Sequence, residues 1–307
     1  QPQNEEELSA LVKWAVSNRI RLTPRGKATS GYGGVLPVKK GIVVDFYRMK
    51  HIKQIDKKTL TVTAEPGVVF EKLDSELAKQ GLTLRLYPSS YPSATVGGWL
   101  AQGGAGIGSY ESGWFRDNVV SARAVMPDGT IREFRGEELD MIDGAEGITG
   151  LITEVTMHVR PAEDLDVIAI GCPEADGIQH IVQSAINKNL PLWSVMFINP
   201  RMAQLRNEVP LREHLDHVVE KRVLLPSAYI AIIAFRKKNN AIVMTALEQV
   251  MQQCKAELLS DEIAKHEWEN RFKIMVVKRL GPSLVPAEIV VPLANLGKVM
   301  KEIEEKV

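Results

Sequence analysis

The sequence is poor in the residues that most directly announce a chemistry. Two cysteines, Cys172 and Cys254, occur in 307 residues. That is too few for a disulfide framework, and no CxxC or Cys/His cluster offers zinc or iron–sulfur ligation. A reduced, intracellular chain without a metal site of its own is expected. No apolar run approaches the roughly 20 residues that cross a bilayer, so no direct membrane span is expected. An excess of one charge is missing too, because 38 basic residues face 38 acidic ones. Dedicated nucleic-acid binders need clustered positive charge, so nucleic acid is not an expected partner. The N-terminal QPQNEEEL is polar and acidic, the reverse of a signal peptide. What remains is length and 45% hydrophobic content, enough for two domains with real cores.

Glycine divides the chain. Positions 23–34, 97–113 and 144–150 are glycine-rich, whereas residues 165–307 hold four scattered glycines. This suggests a ligand-handling first domain, residues 1–162, and a more ordinary second one, residues 163–307. The boundary falls near Arg160-Pro161-Ala162-Glu163-Asp164, where proline should break a helix or strand.

In the first domain, Asn4 before three glutamates predicts an N-cap with acids in the first helical turn. Strands are expected at 20–23, 41–46 and 59–64, and an amphipathic helix at 68–80. Further strands are expected at 118–126, 130–134 and 151–159, the first two joined by Pro127-Asp128-Gly129. The class is α+β. The second domain reads β-α-β twice: strand 167–171, helix 173–189, strand 193–198, then strand 228–235, helix 239–254 and an extended 255–259. Helices on one face of an antiparallel sheet, a ferredoxin-like arrangement, follow from that reading. A last helix is expected at 293–306.

The familiar nucleotide fingerprints are absent. Gly31-Tyr32-Gly33 has Leu36 where a third glycine belongs, Gly106-Ile107-Gly108 has Glu111, and no GxxxxGK[ST] occurs. Another kind of phosphate cradle is possible. In Thr23-Pro24-Arg25-Gly26-Lys27-Ala28-Thr29-Ser30-Gly31, small residues let successive backbone N–H groups converge on an anion. The segment Pro88-Ser89-Ser90-Tyr91-Pro92-Ser93-Ala94-Thr95-Val96-Gly97-Gly98 repeats that chemistry. Each alone reads equally well as a surface turn; together they favour a diphosphate ligand.

Four blocks carry a resemblance: TPRGKATSGYGG, AEPGVVFEKLDSELAKQGL, PSSYPSATVGGWLAQGGAGIGSY with ESGWFRDNV, and DGAEGITGLITEVTMHVRP. In order and spacing they resemble the flavin-binding domain of the vanillyl-alcohol oxidase/p-cresol methylhydroxylase superfamily. Within it, they are most similar to the group that joins the flavin-carrying chain of glycolate oxidase with D-lactate dehydrogenase. The resemblance implies a two-subdomain PCMH-type FAD-binding domain followed by a cap domain, C-terminally incomplete. It implies that Pro24, Arg25, Gly26, Lys27, Ala28, Thr29, Ser30 and Gly31 wrap the FAD pyrophosphate. Pro88, Ser89, Thr95, Gly97 and Gly98 would approach the phosphates and ribityl chain. Gly106, Gly108 and Ser109 would line the flavin, and Glu146, Gly147, Gly150 and Ile152 the adenosine end. Some relatives attach FAD through a histidine in the first loop; Lys27-Ala28-Thr29 offers none, so non-covalent FAD is implied.

The second domain resembles the cap of the same group through Trp268-Glu269-Asn270-Arg271 and the segment from Pro286 to Pro292. Arg271 is the candidate substrate-binding residue, because a planar fork suits a carboxylate; Arg236 and Arg201 stand behind it. The implied activity is oxidation of a D-2-hydroxy acid such as glycolate or D-lactate, the hydride going to flavin N5 while a base takes the hydroxyl proton. No catalytic base is assigned. The family's HxGDGNxH-like block is absent before Val307 and the opening motif starts midway, so a fragment of a longer protein is expected. An electron-acceptor protein or iron–sulfur module is the implied partner, and the cytoplasm, or the membrane periphery through a partner, the expected location. The alternative is an FAD-carrying, non-catalytic or electron-transfer subunit of a larger redox complex. A third reading is a reductase of the same flavin fold acting on a nucleotide-sugar enolpyruvyl ether, against which the double β-α-β pattern and the W-x-x-R match speak.

Overall fold

Asn4 starts the first helix, α1 (Glu5–Ser17), its side chain accepting a hydrogen bond from Glu7 N at 2.9 Å. The computed structural model describes residues 1–214, 217–218, 222–282 and 287–306. The chain forms two compact units, Gln1–Ala162 and Glu163–Val307.

In the first unit, α1 leads into β1 (Leu22–Arg25), which pairs in parallel with β2 (Ile42–Asp45) as a small sheet of its own. A larger antiparallel sheet holds β3 (Ile52–Asp56), β4 (Thr61–Ala64), β5 (Leu82–Leu84), β6 (Val119–Val125), β7 (Ile131–Arg135) and β8 (Leu151–Pro161). Its order is β3-β4-β8-β6-β7, with β5 also paired to β8. The helices α2 (Phe70–Ala78), α3 (Val96–Gln102) and α4 (Ser109–Ser112) connect these strands. Leu8 and Val12 of α1 share a core with Val44, Phe46, Val125 and Leu151, so the helix locks both sheets.

Besides the short β5 and α4, which were not expected, three details differ from the sequence reading. Strand β3 was not expected, because Lys53 and Gln54 are both exposed at a register shift against β4 and spoil the alternation. Residues 96–102, read as loop, are helical despite two glycines, because Thr95 caps the segment and Val96, Trp99 and Leu100 bury one face. Pro161 does not interrupt its strand. It is the last residue of β8, opposite Leu82, where no ladder N–H is needed.

The second unit contains β9 (Leu165–Cys172), α5 (Ala175–Asn187), β10 (Leu192–Ile198), α6 (Pro200–Glu208) and a short ribbon of β11 (Glu213–His214) and β12 (His217–Val218). After it come β13 (Tyr229–Arg236), α7 (Asn240–Gln253), β14 (Glu257–Leu258), α8 (Asp261–Glu269) and α9 (Leu296–Lys306). The sheet is antiparallel with order β10-β13-β9-β14, that of two interleaved β-α-β units. Helices cover both faces, not one. Residues Tyr229 through Phe235 are all buried, a run without alternation that requires cover on each side. Ile230 and Ile232 pack with Ala203 of α6 and Ala264 of α8, while α5 lies across β9, β10 and β13. Helix α6 occupies what read as a charged connection, started by Asn199 and Pro200.

Candidate functional site

The first unit contains a cavity of about 310 Å³. Three segments build its walls: the loop leaving β1, the start of α3, and the turn entering β8. Apolar cover comes from Phe46, Pro66, Trp99, Leu151 and Ile152. Trp99 is braced from behind, stacked on Phe115 at 4.2 Å and meeting Phe70 edge-on at 5.3 Å. A half-apolar wall with a few polar groups is the usual chemistry of a small-molecule site.

The backbone decides what the polar groups can hold. Among the described residues, no acceptor is placed for the N–H groups of residues 26–31. These residues are half-buried to exposed. Successive amides of this kind form a nest for an anion. Ala28 stands within the run at φ +54°, a left-handed conformation that alanine seldom adopts. Glu146, across the cavity, has φ +50°.

The first turn of α3 behaves differently. Val96 N donates to Val68 O and Gly97 N to Pro66 O, both at 2.9 Å, and Gly98 N donates to Thr95 Oγ1 at 3.3 Å. Its amides are already used. Gly97 is needed for packing, since a Cβ there would lie 2.9 Å from Pro66 Cα. A Cβ on Gly26 would lie 2.5 Å from Thr95 Oγ1, so the loop and the helix cap close directly on one another.

The structure brings Pro24, Arg25, Gly26, Lys27, Ala28, Thr29 and Ser30 to the cavity, with Thr95, Gly97, Gly98, Glu146, Gly147, Gly150 and Ile152. Gly31, Pro88, Ser89, Gly106, Gly108 and Ser109 do not line it. Ser90 and Ala94, within the second expected cradle, line it too, whereas sequence reasoning missed Tyr32, Gly34, Val35, Phe46, Pro66, Trp99, Ala101, Gln102 and Leu151. Helical spacing from Thr95 would have found Trp99 and Gln102, had 96–102 been read as a helix. Lys27 Nζ sits 5.0 Å over the Tyr47 ring. His51 is hydrogen-bonded to the buried Glu65 at 2.8 Å.

The arginines belong to the second unit. Arg271 lies between two rings, 4.3 Å from Trp268 and 4.5 Å from Phe272, and its Nη1 donates to Trp268 O at 2.7 Å. Arg236 is paired with Glu163 at 2.5 Å, and Arg201 donates to Gln204 at 3.0 Å on α6. Residues 287–292 of the acidic segment are irregular up to the final helical turns; Pro286 lies outside the described residues.

Residues 1–135 match the family model described as FAD binding domain. The chain is 29% identical to D-lactate dehydrogenase of Archaeoglobus fulgidus over 234 residues, 73% of this chain and 52% of that one. Glycolate oxidase subunit GlcD of Bacillus subtilis is 24% identical, covering 99% of this chain and 66% of GlcD. Among solved structures, alkyldihydroxyacetonephosphate synthase aligns with TM-score 0.76 at 23% identity, over 91% of this chain and 54% of the synthase. p-Cresol methylhydroxylase aligns with TM-score 0.71 at 16% identity, over 89% and 60%. The fold is therefore of the p-cresol methylhydroxylase type, with FAD as its cofactor. The chain spans about half the length of curated relatives such as the Archaeoglobus enzyme. Among the described residues, no helix is long and apolar enough to cross a membrane.

Proposed function

We propose that the cavity holds FAD non-covalently and that the protein oxidises a D-2-hydroxy acid such as glycolate or D-lactate. The observation that carries the reading is the run of residues 26–30 along the cavity, whose N–H groups have no acceptor among the described residues, in a stretch that matches an FAD binding domain. These residues fit the group. A diphosphate needs N–H donors, and this loop leaves its backbone N–H groups unused within the protein rather than offering a cluster of lysines. The adenosine end is assigned to Glu146, Gly147, Gly150 and Ile152. When bound, FAD supplies the acceptor for the hydride that leaves the α-carbon. The protein's part is to grip the diphosphate, exclude water from the apolar wall and orient the acid. Arg271 is the proposed carboxylate partner, because two aromatic rings hold its guanidinium plane in one orientation. An electron-acceptor protein is the proposed partner.

A second reading, an FAD-carrying subunit without turnover of its own, draws support from the relative named as a subunit. One experiment separates the two. The protein is reconstituted with FAD, its absorbance followed at about 450 nm, and glycolate, D-lactate and larger 2-hydroxy acids added without oxygen. Bleaching by any of them supports the oxidation. Stable yellow protein with every acid favours the subunit, and failure to retain FAD at all removes both.

A further inference from the structure

Asp74 on α2 lies outside the cavity lining, yet its carboxylate gathers groups from residues 83–91, the stretch that runs up to the cavity-lining Ser90, Ala94 and Thr95. Oδ1 accepts from Thr83 Oγ1 at 2.9 Å and Leu84 N at 3.3 Å. Oδ2 accepts from Tyr91 Oη at 3.2 Å and lies 3.3 Å from Tyr87 Oη, whose shortest contact is Thr83 Oγ1 at 2.6 Å, so one proton is shared between those two hydroxyls and the other points to the carboxylate. The two tyrosine rings meet edge-on at 5.2 Å. All four groups are neutral. A half-buried carboxylate held by neutral donors is a poor device for stability, since an apolar pair would avoid the desolvation. It is a good device for fixing where its donors sit.

What the donors hold is specific. Tyr87 exchanges backbone hydrogen bonds with Ile107 at 2.8 and 2.9 Å, which ties in the Gly106–Gly108 segment. Tyr91 follows Ser90, a cavity-lining residue whose carbonyl accepts from Ser93 N and Ala94 N at 2.9 and 2.8 Å. Ala94 then leads to Thr95, the cap of α3. We propose that Asp74 is a positioning residue for FAD, fixing the segment that carries the cavity-lining Ser90, Ala94 and Thr95 through the hydroxyl of Tyr91 and the Thr83–Tyr87 hydroxyl pair. Burial first, and the Asp74 charge second, push the Tyr87 hydroxyl up to about 12 and raise that of Tyr91. Both hydroxyls therefore stay protonated throughout the physiological range.

This inference rests on the cavity being the FAD site, and the test keeps the two apart. FAD affinity is measured by flavin fluorescence on the reconstituted protein for wild type, Tyr91→Phe, Asp74→Asn and the double variant. Ser9→Ala is the control; it removes a buried hydrogen bond to Gly129 O that involves none of these loops. Tyr91→Phe is expected to raise the Kd about tenfold, and the double variant to add little to the larger single effect. Ser9→Ala should lower Tm comparably while leaving the Kd unchanged. Wild type that binds FAD with unchanged Tyr91→Phe and Asp74→Asn affinities overturns the positioning role alone. Additive effects, or an equal loss in Ser9→Ala, overturn it too. Wild type that binds no FAD overturns the cavity assignment and this inference with it.

Discussion

The loop leaving β1 and the first turn of α3 are two glycine-rich walls of one cavity, and they use their backbones in opposite ways. Residues 26–31 present N–H groups that no described residue accepts, whereas the amides of Val96, Gly97 and Gly98 are bonded within the protein. Glycine in the first wall, at Gly26, lets the loop close on Thr95; in the second it lets the helix press against Pro66. Glycine content alone does not distinguish a ligand's grip from a packing seam. The accounting of N–H partners does.

Substitution can break this contrast at either wall. The largest effect is expected for Gly97→Val, whose branched side chain would be driven into Pro66. Overpacking of this kind should cost about 3 kcal/mol and lower Tm equally in FAD-free and FAD-loaded protein, as read by calorimetry. A loss confined to the loaded form would make α3 part of the grip after all.

The next effect concerns the helix that leads into the first wall. Burial alone would raise the Glu5 carboxyl, but hydrogen bonds from Arg123 and Thr153, together with the Arg123 charge, bring it below its ordinary 4.5. A depressed carboxyl stabilises the fold above its unfolded value and stops doing so as pH falls through the folded one. Glu5→Gln is therefore expected to cost about 2 kcal/mol at neutral pH. The gap to wild type in urea melts should close progressively below pH 4.5. A gap that stays constant into acid would show that Glu5 acts by shape rather than charge.

The smallest effect is expected for Lys27→Ala. If amides hold the diphosphate, removing this ammonium should change the FAD Kd less than about threefold, with salt dependence to match. A large, salt-sensitive loss would move the grip from backbone to side chain.

Much of this was legible beforehand. The loop at 24–30, Thr95 with its glycine pair, and Glu146, Gly147, Gly150 and Ile152 were all expected at a ligand and all line the cavity. They were visible because small residues cluster where backbone must approach something closely. Phe46, Leu151 and Trp99 were not, because in sequence they look like any core residue; only the fold turns one edge of each towards the cavity. Gly106, Gly108 and Ser109 were expected there and lie elsewhere in its surroundings, Ser109 Oγ accepting from Gly106 N at 2.8 Å to close its own turn. In the second unit, the strand and helix order was readable, but the cover on both faces was not. The apolar run of β13 signals burial on two sides, whereas the short helix α6 begins inside a polar stretch with little periodicity.

The aromatic brace behind the cavity also gives the molecule an optical property. Trp14 and Trp114 are half exposed, Trp193 and Trp268 form a pair in the second unit, and Trp99 alone among the tryptophans lines the cavity. Its indole, clamped by Phe115, cannot swing away from an incoming ring. Part of the protein's own ultraviolet emission is thus wired to the state of this one wall, a native beacon that needs no added dye.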